Sequence, residues 1–383
     1  MQIPKDMLYF LKTEQRWKRK EDNQVAKQTT LADIAAIAGV TPTTVQRALK
    51  GTGGVGEEQR RRIREIADEL NYRPNVLASV LKKGELNIAV VLPDMENENR
   101  YYAACLWDGL ERYLGKNAVF QIRCSRFTYE RSPVNQGQAM KRMLEECADS
   151  LDGVISMGGD DPEFLRVLGC LEERHIPYVF VGTDNMARHR LCCISAHNEV
   201  AGRLAADLFM NFSERQGGRI LLTGDFSIQD QSQNAVGFEK QMKHQNGGFE
   251  ILKLSNFGGI ETTSHSIAQF LTADFDIAGI YSCSARNTVA ICKAMDEAGK
   301  RVPAVGSDVF EESIRLIREG KLSATIHKRH YEQTYRAIQV LVEHLTKNYV
   351  PEKDVELVMP VVAMRGNISC FAGNGAEEAG YIF

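Results

Sequence analysis

Three sets of side chains in this 383-residue sequence are of types that do chemistry: nine cysteines, eight histidines, and a crowd of basic and hydroxyl residues in the first eighty or so positions. The cysteines (Cys105, Cys124, Cys147, Cys170, Cys192, Cys193, Cys283, Cys292 and Cys370) are odd in number and scattered. None stands in a CxxC or Cys/His ligand spacing, so neither a disulfide framework nor a zinc site is expected, and they read as reduced, small hydrophobes. The histidines have no HExxH arrangement, no serine sits in a G-x-S-x-G elbow, and Gly158-Gly159-Asp160 lacks the pattern of a phosphate loop. No catalytic residue, metal or cofactor is expected, and the chain is not read as an enzyme.

The third set is concentrated where charge is. Residues 1–83 hold 16 Lys and Arg against 10 Asp and Glu, a balance of +6, whereas residues 84–383 hold 31 against 40, a balance of −9, within a net charge of −3. A basic end on an acidic body is expected where the small end meets a polyanion, although a solvated basic tail gives the same signature. No apolar run approaches the roughly 18–20 residues of a membrane span, and the stretch Met7 to Leu11 is too short for a secretory signal, so a cytoplasmic chain is expected. The composition, 43% hydrophobic and 25% charged, is that of an ordinary globular chain large enough for more than one domain.

The elements that would hold the basic end in place can be read from Thr29 onward. Leu31, Ile34, Ala35 and Ala38 form an apolar stripe at helical spacing, with Thr29 or Thr30 as N-cap and Asp33 in the first turn. Gly39 stops this helix. Thr41 caps the next, with Pro42 at its first position and Val45, Ala48 and Leu49 on its apolar side. After the loop Gly51 to Gly56, a third helix turns Ile63, Ile66, Ala67 and Leu70 inward and ends before Tyr72-Arg73-Pro74. Two short helices joined by a tight Gly-Val-Thr turn and braced by a third form a helix-turn-helix, whose second helix fits a major groove; a plain three-helix bundle is the other reading of the pattern.

The run from Leu31 to Leu81, through AxxAGV, T-x-x-T-V-x-R, Y-x-P-N and A-x-x-L, resembles the headpiece and hinge of the LacI/GalR family of bacterial transcription regulators. The resemblance implies a headpiece over 29–74, base-reading residues at Pro42, Thr43 and Arg47, and phosphate contacts from Thr41 and Thr44. Gln46 stands where the family usually has serine; it could reach the N6/N7 edge of adenine while Arg47 takes guanine O6/N7, or it could stay solvated or face phosphate. Residues 75–84 would be hinge helix and linker, beginning at Asn75, with Leu81 wedged into the minor groove and Lys82 and Lys83 along phosphates. Seven or eight residues make no stable helix alone in water. Residues 1–28, with 7 basic and 4 acidic residues and Trp17, read as a disordered basic extension.

From Leu86 onward short apolar strands alternate with amphipathic helices: NIAVVLP, a helix over 101–114, AVFQI, a helix over 136–148, GVISM, a helix over 162–173, YVFVG and on to VVAM. This alternation argues for doubly wound parallel sheets, and its length for two lobes with a ligand crevice at the strand C-terminal ends. The stretch 85–369 resembles the type I periplasmic sugar-binding fold that serves the same family as effector domain. That implies one lobe of about 85–193 and 329–350, a second of about 197–326 and 355–369, and a tail over 370–383.

The resemblance also implies effector-binding residues. Asn99, Tyr101 and Tyr102 follow the first strand, where rings stack on an apolar sugar face. Asp184 and Asp308 fall near the family's acidic positions. Asn234 stands where an arginine is usual and Lys328 where a glutamine is usual. A buried ammonium at Lys328 needs an anionic partner, either Asp184 or Asp308 or an acidic group on the effector, and Arg100, Arg286 and His327 are expected nearby. The expected function is that of a homodimeric repressor on a pseudo-palindromic operator of double-stranded DNA, controlled by a carbohydrate-like effector. A solute-binding transport protein and an enzyme on a doubly wound scaffold are the alternatives.

Overall fold

The structure, a computed structural model, describes residues 30–50, 54–70, 84–130, 132–147, 149–185, 189–212, 217–245, 248–255, 258–273 and 275–371. The N-terminal extension, nearly all of the hinge with Asn75, Leu81, Lys82 and Lys83, and residues 372–383 lie outside that set. The chain divides into two compact units, residues 1–79 and 80–383.

In the first unit, helix α1 (Leu31–Ala38) opens with a reciprocal capping box: Thr30 N–H donates to Asp33 Oδ2 at 2.7 Å and Asp33 N–H donates to Thr30 Oγ1 at 3.3 Å. Gly39, at φ +67°, ends it in the left-handed conformation that glycine adopts without a Cβ clash. Helix α2 (Pro42–Lys50) starts with Thr44 N–H on Thr41 Oγ1 at 3.2 Å, and α3 (Glu57–Glu69) closes the bundle. Ile34, Val45, Ala48 and Ile63 are fully buried at the junction of the three helices. This core is small but separate from the rest of the chain.

The second unit begins with β1 (Leu86–Pro93), α4 (Arg100–Lys116), β2 (Ile122–Tyr129), α5 (Pro133–Cys147), β3 (Gly153–Ser156), α6 (Pro162–Glu173), β4 (Tyr178–Val181) and β5 (Cys192–Ala196). The chain then crosses to a second lobe of α7 (Asn198–Phe212), β6 (Gly218–Gly224), α8 (Gln229–His244), β7 (Phe249–Ser255), α9 (Ile260–Thr272), β8 (Ile277–Ser282), α10 (Ala285–Glu297), β9 (Ala304–Ser307), α11 (Glu311–Arg318) and β10 (Ala324–His327). It returns with α12 (His330–Lys347) and β11 (Val355–Val358), and crosses once more into β12 (Val361–Ala363). The sheet orders are β11-β5-β4-β3-β1-β2 and β12-β10-β9-β8-β6-β7, parallel throughout except for β12 on β10. Strands such as β3, β4 and β8 are buried along their whole length because helices cover both faces, so they read as continuous apolar runs rather than alternating ones.

Two of the expected boundaries are corrected. Val355–Val358 pairs with β5, Val355 opposite Cys193 and Val358 opposite Ala196, so it belongs to the first lobe rather than the second. Backbone pairing across 160 or so positions fixes that, and it leaves no local trace in the sequence. Cys370 and Phe371 belong to the folded domain, not to a tail: they end a 3-10 turn, and the Phe371 ring sits edge-on to His327 at 5.5 Å.

Candidate DNA-reading face and effector crevice

Helix α2 has one face in the headpiece core and one face in solvent. Val45 and Ala48 are buried, while Pro42, Thr43, Gln46 and Arg47 are exposed on the side away from them. Thr41 and Thr44 share a hydrogen bond between their hydroxyls, 2.9 Å, at the helix start, and the first turn carries no acidic residue. The positive end of the helix dipole therefore meets no acidic residue in the first turn, as suits a phosphate. An amide and a guanidinium four and five positions on are the groups that can pair with purine edges in a major groove.

The crevice is built from the loops at the strand C-terminal ends of both lobes, with a volume of about 480 Å³. From the first lobe come Tyr101 and Tyr102 at the start of α4, Tyr129, Ser132 and Gln136; from the second come Asp225, Asp230, Ser284, Arg286 and Asp308, with Lys328 and His330 from the crossover between lobes. Tyr101 packs on Phe310 of the opposite lobe with ring centroids 4.9 Å apart, and Tyr102 meets His330 edge-on at 5.1 Å. A larger hollow of about 880 Å³ runs along α11, but it is lined from the second lobe alone.

Asp308 is the electrostatic centre of the crevice floor. It sits at φ +69°, unusual for a residue with a side chain, and its side chain is 3% exposed. Its Oδ1 lies 3.1 Å from His330 Nε2 and accepts the Lys328 backbone N–H at 3.3 Å; its Oδ2 lies 3.8 Å from Lys328 Nζ. Lys328 Nζ also donates to the Cys283 carbonyl at 3.3 Å. Burial pushes the Asp308 carboxyl up, yet His330 and Lys328, with His327 beyond, hold it well below the usual carboxylate range. Burial has the last word at His327, whose pKa falls to about 4. Asp225 Oδ1 accepts from the Ser227 N–H and hydroxyl, and Asp230 Oδ1 is buried without a hydrogen-bond partner among the described residues.

Residues 88–348 match the periplasmic binding protein domain family, and residues 30–75 match the bacterial regulatory proteins of the lacI family. Catabolite control protein A of Staphylococcus epidermidis is 26% identical over 334 residues, spanning 85% of this chain and 94% of that protein. The chain belongs to the periplasmic binding protein domain family over its larger part and carries a lacI-family DNA-binding domain at its start. Catabolite control protein A of Staphylococcus xylosus shows the same identity, 26% over 338 residues, with 85% and 94% covered. Among solved structures, GanP, a glucose-galactose binding protein from Geobacillus stearothermophilus, superposes with a TM-score of 0.64 at 20% identity, covering 74% of this chain and 99% of that one. A solute-binding protein from Actinobacillus succinogenes with bound D-allose gives 0.65 at 20% identity and the same coverage. These superpositions fix the fold of the second unit, and the two family matches together make the protein a DNA-binding transcription regulator.

Within this lacI-family regulator, the crevice brings together Tyr101, Tyr102, Asp308 and Lys328, and leaves out two residues expected there. Asp184 is not in the lining. Its side chain is 10% exposed and both its oxygens are held at 2.6 Å by the Arg190 guanidinium, while neighbouring Thr183 faces the crevice instead. Asn234 is fully buried inside the second lobe, where its Oδ1 accepts from the Tyr281 hydroxyl. Asn99 closes a 3-10 turn just before α4; its side chain lies outside the described residues. Arg100 turns away to the Tyr101 hydroxyl at 2.7 Å and to Glu312 at 3.4 Å.

Sequence reasoning missed Glu98, Gln136, Asp225, Asp230 and His330, all in the lining. Only the position of Asp225, directly after β6, and that of Asp230, in the first turn of the helix that follows, could have signalled them. Of the two aspartates expected as partners of Lys328, it is Asp308 that stands beside it, at 3.8 Å, while Asp184 pairs with Arg190.

Proposed function

We propose that this regulator is a homodimeric, cytoplasmic repressor that binds a pseudo-palindromic operator and responds to a small neutral carbohydrate in its crevice. One observation carries the ligand reading: among the described residues, the lysine and the arginine that line the crevice, Lys328 and Arg286, already have carboxylates near them, Asp308 at 3.8 Å and Glu98 at 3.5 Å. Hydroxyl-accepting groups remain, among them Asp230, beside the Tyr101 and Tyr102 rings. Aromatic faces with carboxylate acceptors suit a polyhydroxyl ring, and the D-allose bound to the similar Actinobacillus protein supports the same class. On DNA, Pro42, Thr43, Gln46 and Arg47 read bases, Thr41 and Thr44 hold phosphate, and Asn75, Leu81 and Lys82 serve the hinge. No described helix is long and apolar enough to cross a membrane.

The mechanism follows from differential affinity. A ligand that binds one lobe arrangement better than another shifts their populations, and that shift reaches the headpieces of a dimer through the hinge. The test is an anisotropy titration of the full chain on selected operator DNA, with and without neutral aldohexoses, their phosphates and their uronic acids. The proposal expects a neutral sugar to change operator affinity by severalfold or more while the charged derivatives do not. A response confined to phosphates or acids would overturn it.

A further inference from the structure

Glu98 joins the two lobes across the mouth of the crevice. It lies in the turn between β1 and α4 of the first lobe, and its Oε1 accepts the backbone N–H of Ile260, first residue of α9 in the second lobe, at 2.7 Å. Its Oε2 lies 3.5 Å from Nη1 of Arg286, in the first turn of α10. A carboxylate is well placed at a helix N-terminus, where unsatisfied N–H groups and the helix dipole favour negative charge. The N-cap of α9 is Gly259, which has no side chain to do this, so the cap is supplied from the other lobe.

Gly259 is informative for a second reason. Its backbone, φ −72° and ψ −177°, is extended and open to any residue, so its conformation does not call for glycine. A Cβ built there would stand 2.9 Å from Glu98 Oε1, and its three nearest atoms all belong to Glu98, so a side chain at this position would have to push the end of the Glu98 side chain aside. Glu98 and Arg286 both line the crevice. Two further contacts bridge the lobes on the same side, the Tyr101–Phe310 ring pair at 4.9 Å and the more exposed Arg100–Glu312 pair at 3.4 Å.

We propose that Glu98 is the positioning residue of the crevice: it caps α9 from the opposite lobe and fixes Arg286 toward the ligand, so that lobe closure and the placement of Arg286 are a single event. The role for Arg286 rests on reading the crevice as the effector site; the clasp itself does not. Amide hydrogen exchange on the full-length, ligand-free protein tests the clasp. Glu98→Ala is expected to speed exchange at Ile260 by about tenfold or more. Gly259→Ala should do the same by displacing Oε1, whereas Glu98→Gln, which keeps an acceptor, should retain most of the protection. Exchange in β4 serves as the control for an intact fold and should not move. Thermal unfolding then tests the link to Arg286: the Tm losses of Glu98→Ala and Arg286→Ala should be smaller together than their sum, because the two remove one interaction. Unchanged Ile260 exchange in Glu98→Ala and Gly259→Ala, or strictly additive Tm losses, would overturn the proposal. Neither measurement uses DNA or sugar, so its failure is separate from a failure of the effector reading.

Discussion

On the headpiece, Gln46 and Arg47 project into solvent from a helix whose other side is core. In the crevice, Asp308 and Lys328 are each 3% exposed and face one another. The two regions handle charge in opposite ways because their partners differ. DNA brings its own negative charge, so a solvent-exposed guanidinium gains a counter-charge on binding. A small neutral ligand, as proposed for the crevice, would bring none, so an ammonium withdrawn from water would have to be matched within the protein. Charge that is exposed and charge that is buried therefore carry different information: the first points outward to a partner, the second to the architecture of the site.

The contrast can be broken most directly at Lys328. Lys328→Met should cost about 3–5 kcal/mol, since it removes the ammonium that faces the buried Asp308 carboxylate. Denaturant unfolding of the full chain reads this in the transition of the larger unit. A cost below about 1 kcal/mol would mean that Lys328 is held for a ligand rather than for Asp308. On the headpiece side, Ile63→Ala removes a fully buried side chain from a core of its own and should cost about 2–5 kcal/mol there. Operator binding should be lost while the transition of the crevice unit stays in place.

Arg47→Ala sharpens the exposed half of the comparison. It should weaken operator binding by about 1–3 kcal/mol and relax preference at a single base position. Competition among single-base operator variants decides it; a uniform loss on every sequence would assign Arg47 to phosphate. The smallest effect near neutrality is that of pH on the buried half. His327 stays neutral in the fold down to about 4, while the unfolded chain takes up its proton near 6.5. Its contribution is thus fully present above about pH 6.5 and is lost as pH falls from there toward 4. Asp308 adds to the loss only further down, below the unfolded carboxylate value of about 3.9. Tm measured against pH should fall across the upper window in the wild type and flatten there in His327→Gln.

The sequence disclosed local structure far better than partners. The Thr30 cap, the Gly39 stop and the Thr41-Pro42 start are local signals, and each is where the pattern places it. The expected helices over 101–114, 136–148 and 162–173 are found at Arg100–Lys116, Pro133–Cys147 and Pro162–Glu173. What failed was non-local. Val355–Val358 could pair with either sheet as far as its own residues say. Asp184 and Asn234 occupy the right stretch of chain, but Arg190 and Tyr281 claim them first. Glu98 has no sequence signature at all, because its meaning lies in Gly259 and Ile260, more than 160 positions away.

The central claim is that the exposed face of α2 reads an operator. In vitro selection of the full chain on a randomised duplex library, followed by titration of the winning sequence against random DNA, tests it most directly. The account predicts a pseudo-palindromic site bound at least about 10³-fold more tightly than random DNA at physiological salt, with the preference at one position in each half-site lost in Arg47→Ala. Enrichment of no sequence, with binding that depends on salt alone, would contradict it.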